Sequence, residues 1–179
     1  MSGTVNFALR LVAIAALMFY AATQLFAYPA EWQIAEANAR LERVLRRLDQ
    51  PNQGAVSVAR ALELSRNAMR SLPGDPRPVL LASGALTMLG KSADAIALLD
   101  HFVALAERPE LVVALGRARA AEGNEPAARA AFLRAAWASP PAIATLPKAV
   151  RQALLDDVAV LAKQLAAGQL TAPPPITVP

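Results

Sequence analysis

Small and aromatic residues recur along this chain at a fixed distance of 33 or 34 positions. The pairs that share the 33-residue offset are Gly90 and Gly123, Ala95 and Ala128, Leu99 and Phe132, and Phe102 and Ala135. An earlier pair, Ala61 and Ala68, lies 34 positions before Ala95 and Phe102. A fixed period of this size indicates repeated units, each of which buries its apolar face against the next. The sequence therefore predicts a stack of similar units.

The residues within one period indicate what each unit is. Ala128 and Ala135 are seven positions apart and so share one helical face, where small side chains let a neighbouring helix approach while Phe132 fills the space between them. Gly116 serves the same purpose on the preceding helix. Gly123, followed by Asn124, is instead typical of a helix end that needs a positive φ. Each unit is thus predicted to be two helices joined by a turn, and the predicted N-caps are Asp75 (before Pro76), Ser92 and Asn124.

Composition supports an all-α fold. Only 5% of the residues are aromatic, and the β-branched and aromatic runs bounded by turn signals that mark strands are nearly absent. Helices are predicted near residues 31–49, 55–71, 77–89, 92–106, 110–122, 125–138 and 147–167. The last one carries an apolar face, with charged residues away from it; that face consists of Val150, Leu154, Val158, Leu161 and Leu165. A terminal helix with one polar face caps a solenoid, and a short proline-rich extended tail, residues 169–179, follows it.

These features resemble the tetratricopeptide repeat, a helix-turn-helix unit of about 34 residues. In the best-matching unit Leu115 and Gly116 stand at the family's Leu-Gly pair, Ala128 and Phe132 follow on the second helix, and Pro140 closes the unit. Val112 and Arg119 replace the family's Trp and Tyr. The resemblance implies an α-solenoid of about three units over residues 50–140, followed by a capping helix at residues 141–168.

An apolar segment precedes the repeats. Residues 11–30, LVAIAALMFYAATQLFAYPA, carry no charge and match the length of helix that crosses a hydrocarbon core. We interpret them as a single transmembrane anchor, after a stub of residues 1–10 and before a juxtamembrane helix of residues 31–49. A cleaved secretory signal is the alternative, although no clear small-x-small cleavage site follows Leu25. A helix buried in a soluble protein would need a larger domain around it than this chain supplies.

Net charge and reactive residues narrow the function. The net charge of +4 raises the possibility of nucleic acid, but the basic residues alternate with acidic ones and lack interleaved aromatic residues, so nucleic-acid binding is not expected. There is no cysteine, and the single histidine, His101, is predicted to be a surface residue rather than a metal ligand. No nucleophile, carboxylate pair or phosphate loop can be assembled. We therefore expect a protein without enzymatic activity, cofactor, metal or small-molecule substrate.

Two surfaces are expected to bind partners. In tetratricopeptide proteins the first helix of each unit lines a concave groove, and this resemblance implies a partner-binding surface made of Leu80, Gly84, Thr87, Met88, Val113, Arg117 and Ala120. The second is a basic cluster on the juxtamembrane helix, which is either a solvated helix face or a contact for anionic lipid or an acidic partner. Its members are Arg40, Arg43, Arg46 and Arg47.

Together these features predict a membrane-anchored scaffold or assembly factor of the bacterial envelope that binds proteins. The arginines that follow the segment favour a cytoplasmic C-terminal domain, but long domains translocate largely regardless of flanking charge. We therefore expect the anchor in the inner membrane and the C-terminal domain in the periplasm, with the cytoplasmic orientation as the alternative. The alternative is an accessory subunit of an integral membrane complex that uses the anchor and the juxtamembrane helix as its interface. The sequence leaves the partner and the oligomeric state open.

Overall fold

The computed structural model describes residues 2–48, 53–169 and 172–176. These residues form helices and contain no strand, which confirms the all-α prediction. The elements are α1 (Ser2–Leu45), α2 (Gly54–Ser71), α3 (Pro76–Met88), α4 (Ser92–Leu105), α5 (Pro109–Ala121), α6 (Glu125–Ala138), a 3-10 helix (Pro140–Thr145) and α7 (Lys148–Ala166). From α2 to α7 the predicted helices agree with the observed ones to within a residue at either end.

Consecutive helices pack in pairs, and the pairs stack. α1 packs on α2, α3 on α4, and α5 on α6, while α2 contacts α3 and α4 contacts α5. The first helices of the pairs also contact each other, α1 with α3 and α3 with α5. Among the described residues the second helices α2, α4 and α6 make no such contact with one another. First helices close together and second helices apart give a curved stack, compatible with a helical repeat fold.

The helix ends repeat with the sequence period. At the end of α3, Gly90 has a φ of 73°, and the N–H of Lys91 donates to the carbonyl of Leu86 at 2.9 Å. At the end of α5, Gly123 has a φ of 87°, and the N–H of Asn124 donates to the carbonyl of Arg119 at 2.9 Å. Both are Schellman turns, which require a residue in the left-handed region. The prediction that Gly123 ends a helix is confirmed.

Two of the three predicted N-caps are present. The carboxylate of Asp75 accepts from the backbone N–H of Arg77 at 2.8 Å, and the side chain of Asn124 accepts from that of Ala127 at 3.1 Å. The prediction for Ser92 is wrong, because Lys91 occupies the N-cap and its side chain makes no capping hydrogen bond. The Schellman turn at Gly90 leads directly into α4, so Ser92 is already its first helical residue.

The core is built on the recurring small residues. Those that the period singled out are fully buried, namely Ala61, Ala68, Ala95, Ala128 and Ala135. Leu99 and Leu115 are the largest fully buried side chains of α4 and α5. Small residues at helix contacts bring backbones together, and each leucine fills the space that this leaves. The core therefore follows the period predicted from sequence.

The N-terminal helix differs most from expectation. The predicted stub from Ser2 onward, the anchor and the juxtamembrane helix form one helix of 44 residues that runs through Pro29. This helix ends at Leu45, and residues 46–48 begin a turn with Arg47 at a φ of 56°. Ile34, Ala37 and Leu41 are buried against the rest of the domain. The second half of α1 is thus the first helix of the first pair, and the stack begins before residue 50.

Part of the predicted transmembrane segment is not described at side-chain level. The side chains of residue 11 and of residues 20–27 lie outside the described residues, whereas those of residues 12–19 and 28–45 are within them. A search of the described residues finds no helix that combines the length and the apolarity needed to cross a membrane.

The C-terminal helix is only partly covered. α7 packs on α6 and the 3-10 helix; Leu154 is buried, Val158 and Leu161 are half-buried, and Val150 and Leu165 are exposed. The apolar face predicted for α7 is therefore covered in its middle and exposed at its two outer positions.

Candidate partner-binding groove

The first helices of the pairs form the wall of an open groove. Its volume is about 550 Å³, with α3 and α5 side by side, the last residue of α1 at one edge and the 3-10 helix at the other. It is lined by Leu45, Leu80, Ser83, Gly84, Thr87, Met88, Glu110, Val113, Ala114, Arg117, Ala142 and Thr145. The groove thus lies on the inner side of the curve of the stack.

The structure brings together all but one of the residues predicted for the concave surface. Leu80, Gly84, Thr87, Met88, Val113 and Arg117 line the groove. Ala120, half-buried near the end of α5, is not part of the lining. Their role in binding a partner stays a prediction.

Sequence reasoning missed half of the lining for two different reasons. Ser83, Glu110 and Ala114 each lie three positions from a residue already predicted, so helical periodicity alone could have found them. Leu45, Ala142 and Thr145 belong to other elements, and only the tertiary packing brings them to the groove.

The groove offers apolar contact more than hydrogen bonding. The hydroxyl of Thr87 donates to the carbonyl of Ser83, and that of Ser83 to the carbonyl of Leu80, each at 2.9 Å within α3. Their donors are therefore already used. Leu45 is 70% exposed and Met88 39% exposed. Exposed apolar side chains beside satisfied hydroxyls suit the apolar face of another protein better than a polar small molecule.

Charged and polar groups are found at the C-terminal side of the groove. Arg117 donates a hydrogen bond to the hydroxyl of Thr145, which ties α5 to the 3-10 helix. Glu110 lies two turns before Arg117 on the same helix, and both are exposed. The apolar surface is thus flanked by one acidic and one basic side chain.

A second cavity, of about 490 Å³, continues the groove between α1 and α3. It shares Leu80 with the first and ends at Glu31 and Arg77. The guanidinium of Arg77 donates to both carboxylate oxygens of Glu31, at 2.6 and 3.0 Å, and also to Asp75. Hydrogen bonds from Arg77 lower the pKa of Asp75, and those to Asp75 and Glu31 raise the pKa of Arg77. This ion-pair network closes the N-terminal end of the groove.

The basic cluster is partly neutralised within α1. Arg40 pairs with Glu36 at 2.7 Å, and Arg46 pairs with Glu42. Arg43 and Arg47 are exposed. Two of the four positive charges are thus balanced one helical turn away, as in an ordinary solvated helix face.

His101 is exposed on α4, and its ring meets the ring of Phe102 edge-on at a centroid distance of 5.4 Å. In the described part of the chain, no three histidine, cysteine, aspartate or glutamate side chains come close enough together to hold a metal ion.

Comparisons of the chain with protein-family models, with curated proteins and with solved structures find no match.

Proposed function

We propose that this protein is a membrane-anchored, tetratricopeptide-like scaffold that binds an apolar segment of a partner protein in the groove between α1, α3 and α5. The observation that carries the proposal is the exposure of Leu45 and Met88 beside the buried Val113 in one continuous lining. An amphipathic helix that lays its apolar face into such a groove is a common mode of recognition. Glu110 and Arg117 would then select complementary charges beside that face.

The anchor is supported by the side chains of residues 12–19. All eight are exposed, and they include Val12, Ile14, Leu17, Met18 and Phe19. Eight successive residues cover every direction around a helix, so this part of α1 is apolar and uncovered on all sides. Water would oppose that arrangement, whereas lipid would not. We place the anchor in the inner membrane of a bacterium and the helical domain in the periplasm.

If residues 11–30 span a bilayer, the length of α1 determines how far the basic cluster lies from the membrane. At a rise of 1.5 Å per residue, Arg40 lies about 15 Å and Arg46 about 24 Å beyond Ala30 along the helix axis. The headgroup layer is only about 5–7 Å thick on each side, and charge is screened within about 8 Å at physiological salt. An acidic partner protein therefore fits the cluster better than anionic lipid does.

The groove is tested by a matched pair of double variants of the full-length protein in mild detergent. Leu45→Asp with Met88→Asp places two charges in the groove. Val56→Asp with Leu105→Asp changes two apolar side chains outside it, each 69% exposed. Val113 is unsuitable because it is 4% exposed, so a charge there would unfold the domain.

The expected result is that proteins co-purifying with the wild type are lost from the groove variant and kept by the control, while both variants unfold at the wild-type temperature. Equal retention by both would contradict the groove as the binding surface. Loss only when residues 12–19 are changed would instead support the second candidate, an accessory membrane subunit that packs against its complex through α1. The uncovered apolar side chains of residues 12–19 are what favours that candidate.

The topology has a direct test because the chain lacks cysteine. A single Val56→Cys substitution gives one exposed thiol in the helical domain. In cells with a permeabilised outer membrane, a maleimide that does not cross the inner membrane should label this thiol. Labelling only after lysis would place the domain in the cytoplasm.

A further inference from the structure

Residues 172–176 lie against the outer face of the stack. Pro174 is buried, and Ile176 packs against the hydrophobic core, while Ala172, Pro173 and Pro175 are exposed. Two alternate side chains of an extended segment thus point into the domain, and the residues between them point away. This alternation is the pattern of a bound extended peptide.

The surface beneath these residues is a cleft between α4 and α6. No direct contact joins these two helices in the described part of the chain, and both pack on α5. Arg119 of α5 lies at the base of the cleft, only 5% exposed, and Arg134 of α6 lies along one side. The second helices of two successive pairs therefore leave a slot, which the tail fills.

Two arginines hold the tail by its backbone. A guanidinium nitrogen of Arg119 donates to the carbonyl of Ile176 at 2.6 Å, and one of Arg134 donates to the carbonyl of Pro174 at 3.4 Å. Carbonyls two residues apart on an extended chain face the same way, so one edge of the segment meets both donors. Prolines lack an N–H, and hence the Pro-rich segment brings acceptors to the cleft with few donors to satisfy.

Asp100 of α4 and Glu107, in the loop between α4 and α5, orient the two arginines. Asp100 accepts from Arg119 at 3.3 Å, and Glu107 receives two hydrogen bonds from Arg134, at 2.5 and 2.8 Å. A buried arginine needs such a partner, because an unpaired charge out of water is costly. Each guanidinium is thus fixed on one side and presents its remaining donors to the tail.

We propose that the cleft between α4 and α6 is a second peptide-binding site, specific for an extended proline-containing segment with the spacing Pro-x-Ile, and that the chain's own tail occupies it in cis. The site is distinct from the groove, on the opposite face of the stack. Because the tail is tethered close by, its effective concentration is in the millimolar range. It therefore excludes an added segment of the same sequence, and a free segment enters only when the tail is displaced.

The test uses the full-length protein in detergent and a fluorescein-labelled peptide with the sequence of residues 170–179. Pro174→Asp with Ile176→Asp displaces the tail from the cleft. Pro173→Asp with Pro175→Asp changes the two exposed prolines and serves as the matched control. Binding is followed by fluorescence polarisation, and circular dichroism reports whether each variant is folded.

The displaced variant is expected to bind the peptide saturably and the wild type and control at least about tenfold more weakly, since the cis tail competes for the site. A peptide that carries the Ile176→Asp change should not bind. Adding Arg119→Met or Arg134→Met to the displaced variant should weaken binding about tenfold or more, which corresponds to the loss of a hydrogen bond from a charged donor.

Three results would overturn the proposal: no saturable binding to a folded chain with a displaced tail, equal binding of the altered peptide, or equal binding to the wild type. If the displaced variant fails to fold, a protease site inserted after Gly168 allows the chain to fold first and the tail to be cut and exchanged afterwards. The same peptide comparisons then test whether the cleft binds the segment. None of these measurements involves the groove, so failure here is distinguishable from failure of the proposed function.

Discussion

Gly116 of α5 lies directly against the ring of Phe132 of α6. A Cβ atom added to Gly116 would fall 2.5 Å from Cε1 of that ring, 2.6 Å from Cδ1 and 3.0 Å from Cζ. Gly116 is itself buried. The ring of Phe132 thus occupies the space that a side chain at position 116 would need. The absence of that side chain determines how closely the two helices of the third pair can pack.

Gly116→Ala should therefore destabilise the domain although alanine is the better helix former. Displacing the ring costs about 1–3 kcal/mol, typical of overpacking, against the gain of up to about 1 kcal/mol in helix propensity. The measurement is the unfolding temperature of the full-length protein by circular dichroism. Gly84→Ala is the matched control, since it also lies inside a helix but its Cβ would meet nothing within 4 Å. Gly84→Ala should raise the unfolding temperature. A lower unfolding temperature in both variants would refute the specific role of Phe132.

The N-caps of α3 and α6 should contribute to stability and the start of α4 should not. Asp75→Ala and Asn124→Ala each remove a side chain that accepts from a backbone N–H, at a cost of about 1 kcal/mol each. Ser92→Ala should change the free energy of unfolding by less than about 0.5 kcal/mol, because the side chain of Ser92 caps nothing. Chemical denaturation of the three variants measures these changes in the free energy of unfolding. A loss at Ser92 equal to the other two would contradict the observed cap geometry.

Acid should weaken the ion pair between Glu107, in the loop that follows α4, and Arg134 of α6. Hydrogen bonds from Arg134 hold the pKa of Glu107 below its ordinary value of 4.5, against a smaller opposing effect of burial. A lowered pKa in the folded state means that the pair stabilises fully above about pH 4.5 and loses its contribution as the pH falls through the folded value. Glu107→Gln should thus lower the unfolding temperature at pH 7, and the difference from wild type should shrink as the pH falls towards 3.

The reciprocal change provides the control for this pH dependence. Arg134→Gln removes the other member of the pair, and the double variant should show no further loss beyond the larger single one. A difference between wild type and Glu107→Gln that stays constant from pH 7 to pH 3 would exclude Glu107 as the titrating group.

The repeating part of the fold was predictable from the sequence because its signals are local. Gly90 and Gly123 end helices at equivalent positions through backbone geometry that involves only their own neighbours. The spacing of small residues around one aromatic residue likewise indicates which helix face packs. The burial of Ala128 and Ala135 followed from that spacing.

The remainder depends on contacts between residues far apart in sequence. The tail was expected only to be extended. Nothing near it in sequence shows that Arg119 and Arg134, 57 and 40 positions before the residues they bind, donate to its carbonyls. The continuity of α1 was missed because the change from apolar to charged residues at Glu31 indicated a boundary. Packing of Ile34 and Leu41 on the domain makes it one helix with the first pair.

The apolar part of α1 leads to a prediction about membrane insertion. Leu17→Arg with Phe19→Arg puts two charges on exposed apolar positions of this helix. Near the centre of a spanning helix each arginine costs about 2.5–3.5 kcal/mol of insertion. The variant should therefore leave the membrane fraction after alkaline carbonate extraction, whereas Val56→Arg with Leu105→Arg, on exposed apolar residues of the helical domain, should remain with it. An arginine variant that stays in the membrane but loses its co-purifying proteins would show that residues 12–19 face another protein and not lipid. An arginine variant that stays in the membrane and also keeps its co-purifying proteins would contradict both the anchor and the accessory-subunit interface.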